Sequence, residues 1–138
     1  MLKKITLTLA LSLLTATAAM AFNYIEPQEM KELLDKKKPV ILLDIQVAGE
    51  YEKHHLPGSI ETNSYPTKSD QEKKQLDKMI PIIKASSDPV VIICPQGKGG
   101  ATRSVDYLKS QGIAEERLQI LTGGIAGWPY QELTVTGR

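Results

Sequence analysis

The chain reads as an α/β protein, a mostly parallel sheet with helices packed on both faces. Three observations lead there. Val40-Ile41-Leu42-Leu43 and Val90-Val91-Ile92-Ile93 are short, continuous apolar runs, the composition of strands buried on both sides rather than the alternation of a half-exposed sheet. Between such runs lie stretches with helix start and stop signals. Strands alternating with helices in this way build parallel sheets, and in those folds ligands collect at the carboxyl ends of the strands.

Met1 to Ala21 stands apart from this pattern. Lys3 and Lys4, the apolar run from Ile5 to Ala18 and the small-residue stretch Ala19-Met20-Ala21 have the layout of a cleavable secretory signal. The run is short for a membrane span and carries Thr6, Thr8, Ser12, Thr15 and Thr17. The expected product is a single domain over 22–138, exported to a bacterial periplasm and free of the membrane once the signal is removed. The whole chain has 17 basic and 16 acidic side chains; losing Lys3 and Lys4 leaves 15 against 16. That balance offers no basic stripe for nucleic acid.

In order, Tyr24-Ile25 suggests a short first strand, and Glu26-Pro27 opens a helix that ends at Lys36-Lys37-Lys38, with Pro27 in the first turn where its missing N–H costs nothing. Pro39 leads into the strand ending at Asp44. A short helix over Gly49 to His54, a turn at Leu56-Pro57-Gly58 and a strand over Ser59 to Asn63 follow. Ser69 or Asp70 caps a helix over Gln71 to Ile80, which Pro81 kinks or restarts. After the Val90–Cys94 strand comes a helix over Ala101 to Gln111, stopped by Gly112. Leu118 to Leu121 is the last strand, with Gly123-Gly124 and a turn through Trp128, a core residue, behind it.

Chemistry concentrates at Cys94, the only cysteine. It ends a strand and is followed by Pro95, Gln96, Gly97, Lys98, Gly99, Gly100, Ala101, Thr102 and Arg103, a loop almost free of side chains that runs into a helix. Backbone N–H groups and a helix N-terminus turned towards one point favour an anion, so the expectation is a reachable thiolate rather than an inert core thiol. A lone cysteine in a secreted chain is either an intermolecular bridge or a free reactive thiol. Asp44 also stands at a strand's carboxyl end, where it can share the site region; a carboxylate accepting backbone N–H bonds is the simpler reading of it. Gly97 to Thr102 lacks the Gly-Lys-Ser/Thr ending of a nucleotide phosphate loop, and His54 and His55 are adjacent without a second ligand cluster, so neither nucleotide, metal nor other cofactor is expected.

Three separated blocks then resemble the rhodanese domain family: Leu43-Asp44-Ile45-Gln46 with Glu50-Tyr51 and His55-Leu56-Pro57-Gly58-Ser59-Ile60; Cys94 through Ser104; and Leu121-Thr122-Gly123-Gly124-Ile125-Ala126-Gly127-Trp128. The resemblance implies sulfurtransferase chemistry. Cys94 takes a sulfane sulfur from a small anion such as thiosulfate or a polysulfide, becomes a persulfide, and passes the sulfur to a thiol or protein acceptor. It also implies a supporting, structural place for His55.

The chain departs from the family pattern twice. Gln46 stands where an arginine is usual, which removes an ion pair expected with Glu50. Gly99 stands where the loop usually ends in a basic residue, and aligning the following helix suggests one extra loop residue. Lys98 and Arg103 are expected to divide the anion-binding role, unless Lys98 is a solvated loop tip and Arg103 pairs with Asp106. A longer loop also raises the alternative of a cysteine-dependent phosphatase or arsenate reductase. A further alternative is a non-catalytic carrier of sulfur or selenium species.

Overall fold

The computed structural model describes residues 22–138; the signal segment expected over 1–21 lies outside them. In chain order the elements are β1 (Asn23–Ile25), α1 (Pro27–Asp35), β2 (Ile41–Asp44), α2 (Ala48–Lys53), β3 (Ile60–Glu61), α3 (Asp70–Lys74), α4 (Met79–Lys84), β4 (Val90–Ile93), α5 (Gly99–Ser110) and β5 (Leu118–Leu121). The five strands form one sheet in the order β1-β5-β4-β2-β3. All four pairings are parallel, so the mostly parallel sheet of the sequence reading is wholly parallel.

The apolar runs are continuous because both faces of the sheet are covered. On one face Leu43, Ile45, Val90, Ile92, Leu118 and Ile120 pack against Ala101, Val105 and Leu108 of α5 and against Leu76, Met79 and Ile83 beside and within α4. On the other face Ile25, Leu42, Val91, Ile93 and Leu121 pack against Met30 of α1 and against Leu56, Ile125 and Trp128. Trp128 is in the core, as its place after the last strand suggested, and its Nε1 donates to the Tyr130 carbonyl at 2.9 Å.

Two boundaries differ from the sequence reading for clear reasons. The helix expected over Gln71–Ile80 is two short helices. Ser69 caps the first by accepting the Glu72 N–H while Glu72 returns a bond to the Ser69 N–H. Pro81 falls in the first turn of α4, where an N–H has no helical partner, so it restarts the helix instead of kinking it. And α5 begins at Gly99 rather than Ala101, because the Lys98 carbonyl accepts both Ala101 N–H and Thr102 N–H.

The centre of this sheet fixes the site. β4 is flanked by β2 and β5, and its carboxyl end delivers Cys94 directly to the N-terminus of α5. The chain leaving β3 crosses the same end: Thr62 N–H bonds to the Asp44 carbonyl, and Tyr65 N–H to the Ile45 carbonyl at 2.8 Å. Residues 62–67 thus form a wall beside the loop.

Candidate active site

Cys94 lies one residue beyond β4 with its side chain on the α5 face of the sheet. It is 1% exposed, so the thiol is less open than the sequence suggests. The loop closes over it: the Gly97 N–H points at the Cys94 Sγ at 2.7 Å. Among the described residues, the amides of Gln96, Lys98, Gly99 and Gly100 donate to no protein acceptor. Gly99 and Gly100 open α5, where unpaired N–H groups and the helix dipole both favour negative charge. One loop donor, the Gly97 N–H, is thus directed at the sulfur, and its neighbours in the loop are left unused by the fold.

This loop is held by backbone against backbone. Ile125 N–H donates to the Cys94 carbonyl at 2.9 Å, and Ala126 N–H to the Pro95 carbonyl at 3.0 Å. A Cβ on Gly124, whose φ is +60°, would stand 2.2 Å from the Cys94 oxygen. A Cβ on Gly97 (φ +69°) would stand 2.8 Å from Gly123 N and from the Leu121 oxygen. Neither position has room for a side chain, which ties the Gly123-Gly124 turn to the shape of the Cys94 loop.

Arg103 reaches back one helical turn. Its Nε donates to the Pro66 carbonyl at 2.9 Å, and its Nη1 lies 2.7 Å from where a Gly99 Cβ would be. The guanidinium thus fills the space into which a side chain at position 99 would grow. No ion pair forms with Asp106. Lys98 is exposed, and its ammonium has no partner among the described residues. Thr102 turns its hydroxyl to the Gly99 carbonyl at 3.1 Å, and Ala101 is buried in the core beneath the loop. Gly100 carries the Tyr65 ring, 2.8 Å from where its Cβ would be.

Asp44 does not share the thiol's region but accepts a backbone N–H, and His55 has the structural place the resemblance implied. Asp44 pairs with Ile93, and side chains alternate along strands, so its carboxyl projects to the sheet face opposite Cys94. It accepts the Gln46 N–H at 2.8 Å and the Gln46 Nε2–H at 3.0 Å. Gln46 also donates to the His54 carbonyl, so its amide serves Asp44 rather than Glu50, whose carboxylate pairs with Lys53. His55 stacks on Tyr51 at 3.8 Å and bonds through Nδ1 to the Tyr51 carbonyl. Both residues brace the end of β2 and do not touch the thiol's surroundings. Burial pushes the Asp44 carboxyl up to about 6, against the two Gln46 hydrogen bonds that favour its charged form.

Sequence reasoning missed the wall of residues 64–67. Thr67 is buried, bonded to the Ser64 carbonyl and to the Ser104 hydroxyl of α5, and this sets the Pro66 carbonyl under Arg103. The available signal was Gly100, a glycine at a helix start with no turn to make.

Comparison with known proteins gives this arrangement its family. The model of the Rhodanese-like domain matches residues 26–130. The chain belongs to the rhodanese family. It is 28% identical over 109 residues to the thiosulfate sulfurtransferase GlpE of Pseudoalteromonas translucida, covering 79% of this chain and 90% of that protein. A second GlpE, from Pseudomonas savastanoi pv. phaseolicola, is 25% identical and covers 84% of this chain and 97% of its own. Among solved structures, the As-Sb reductase of Leishmania major superposes with a TM-score of 0.64 at 18% identity, covering 84% of this chain and 86% of that one. At that identity the likeness is one of fold.

Two measurements check this geometry. Gly124→Ala should cost about 2 kcal/mol or more in urea unfolding and slow every reaction of Cys94, because the Cys94 carbonyl must move aside; unchanged stability would refute the tight contact. Asp44 binds its proton more tightly in the folded chain. Its contribution is therefore fully present below its ordinary value of 3.8 and is lost as pH rises through about 6. Between pH 4 and 7 the wild type should lose up to about 3 kcal/mol relative to Asp44→Asn; parallel stability curves would contradict this.

Proposed function

We propose that this protein is a periplasmic sulfurtransferase that carries a sulfane sulfur on Cys94 from a thiosulfate- or polysulfide-type anion to a thiol acceptor. The observation that carries the reading is the Gly97 N–H directed at the Cys94 sulfur within a loop whose other amides are unspent. Cys94 attacks the sulfane sulfur, and the departing group leaves with the bonding pair as sulfite when thiosulfate is the donor. The persulfide's terminal sulfur carries the negative charge, and the amides of Gln96, Lys98, Gly99 and Gly100 supply donors for it without rearrangement. Arg103, fixed on the Pro66 carbonyl, and Lys98, free at the loop tip, add positive charge for the incoming anion. The near-complete burial of Cys94 restricts loading to small donors. Membership of the family and the GlpE relatives support this class of chemistry.

The second reading, a cysteine-dependent phosphatase or arsenate reductase, draws on the guanidinium standing at the loop's end. The GlpE relatives favour the first reading over it.

Incubation of the mature protein with thiosulfate should add one sulfur atom to Cys94 by mass spectrometry and release one sulfite, and Cys94→Ser should do neither. A folded protein with a free thiol that takes up no sulfur, yet hydrolyses an aryl phosphate in a Cys94-dependent way, would move the assignment to the second reading. For location, protein recovered from its native cell envelope should begin at Phe22, consistent with cleavage after Ala21; an intact Met1 would remove the periplasmic proposal.

A further inference from the structure

Beside the Cys94 loop, α5 and the 67–73 segment enclose a cleft of about 420 Å³ whose lining includes Thr67, Lys68, Lys73, Arg103, Asp106 and Tyr107. Its volume falls in the range of small-molecule sites. Its lining is unbalanced: Lys68, Lys73 and Arg103 against the single carboxylate Asp106. Among the described residues none of the three cations forms an ion pair. The nearby Asp77 is occupied by the Tyr107 hydroxyl, and Glu72 spends one carboxylate oxygen on the N–H groups of Lys68 and Ser69.

Arg103 joins this cleft to the thiol. One edge of its guanidinium lies against Gly99, the first residue of α5, while the side chain also lines the cleft. From Arg103 to Ser110 the cleft follows α5 for roughly 10 Å at 1.5 Å per residue. A molecule reacting at the loop and extending along this helix passes three cations. The loop's amides, Lys98 and the inner edge of Arg103 account for the small donor anion, so Lys68 and Lys73 are left for something longer.

We infer that the cleft is a second anion subsite, which holds the carboxylates of a peptide-sized acidic thiol while that thiol unloads the Cys94 persulfide. This rests on the sulfurtransferase reading and names the acceptor class for it. In the step the acceptor enters as a thiolate, its proton already given to solvent. Its sulfur bonds to the persulfide's terminal sulfur, the bond from that sulfur to Cys94 breaks, and Cys94 departs with the pair as a thiolate. One sulfur–sulfur bond forms as one breaks, so no outside oxidant or reductant is needed. Lys68 is exposed and Lys73 and Arg103 are half-buried, so the attraction is electrostatic and screened by salt.

The test compares glutathione with its diethyl ester, which keeps the thiol and loses both carboxylate charges. Protein carrying a mass-verified persulfide on Cys94, prepared with inorganic polysulfide, should be unloaded by glutathione about tenfold faster than by the diester at low salt. Half-molar salt should remove most of that advantage. The double variant Lys68→Glu, Lys73→Glu should abolish it while leaving unloading by the diester unchanged. Equal rates for the two thiols in the wild type, or an equal slowing of both in the variant, would overturn the inference. Titration with S-methylglutathione, which has no thiol to react, separates the subsite from the chemistry. The backbone amides of Lys68, Lys73 and Arg103 should shift in NMR spectra even if Cys94 accepts no sulfur. No shift there would sink the subsite; shifts with an unloadable Cys94 would sink the sulfurtransferase reading instead.

Discussion

The loop after β4 has its shape because it is pressed against another stretch of backbone. Cys94 and Pro95 give their carbonyls to Ile125 and Ala126, and the approach is close enough that neither Gly97 nor Gly124 has space for a methyl group. The two carbonyls are spoken for on that side, while the Gly97 N–H points at the sulfur and the amides of Gln96, Lys98, Gly99 and Gly100 stay unpaired among the described residues. The donors are therefore oriented by a contact made elsewhere and need no reorganisation when charge arrives. The Gly-Gly block at the end of the chain and the cysteine block in its middle are one structure in two pieces.

The sheet divides labour between its faces. On the α5 side, the end of β4 carries the thiol, and the helix start and the 62–67 wall surround it. On the other side, Asp44 is bonded to Gln46, and His55 is bonded to and stacked on Tyr51. Gln46 is the telling member. A neutral amide satisfies the Asp44 oxygens geometrically and brings no charge to offset burial, which is why that carboxyl titrates so late. The cost is borne by stability and not by the reactive face.

Much of this was legible in the residues. Continuous apolar runs identified the parallel strands, Pro27 and Ser69 marked helix starts, and a cysteine between such a strand and a glycine-rich helix start marked the candidate site. The wall was not legible, because Thr62 falls within an expected strand and nothing around Ser64 and Thr67 signals burial. They are buried, satisfied by one another and by Ser104, and nothing in local sequence announces such a network. The faces of Asp44 and Cys94 were misjudged for a different reason. Equal height on neighbouring strands says nothing about direction, and the parallel register puts Asp44 beside Ile93, one residue out of step with Cys94. Arg103 shows a third limit: a guanidinium reaches a full helical turn, so its place in the chain and its place in space differ.

The depth of Cys94 bears on which sulfur of a persulfide can be attacked. The inner atom sits under the loop in a residue 1% exposed, while the outer atom projects about 2 Å further along the bond. A nucleophile approaching in line with the sulfur–sulfur bond meets the outer atom first, and that regiochemistry hands over the sulfur. Attack on the inner atom would expel hydrosulfide and strand the chain as a mixed disulfide, and the burial of Cys94 disfavours that approach. Under the proposed function, the burial that would narrow the range of donors would also guard the chain against capture by its own acceptors.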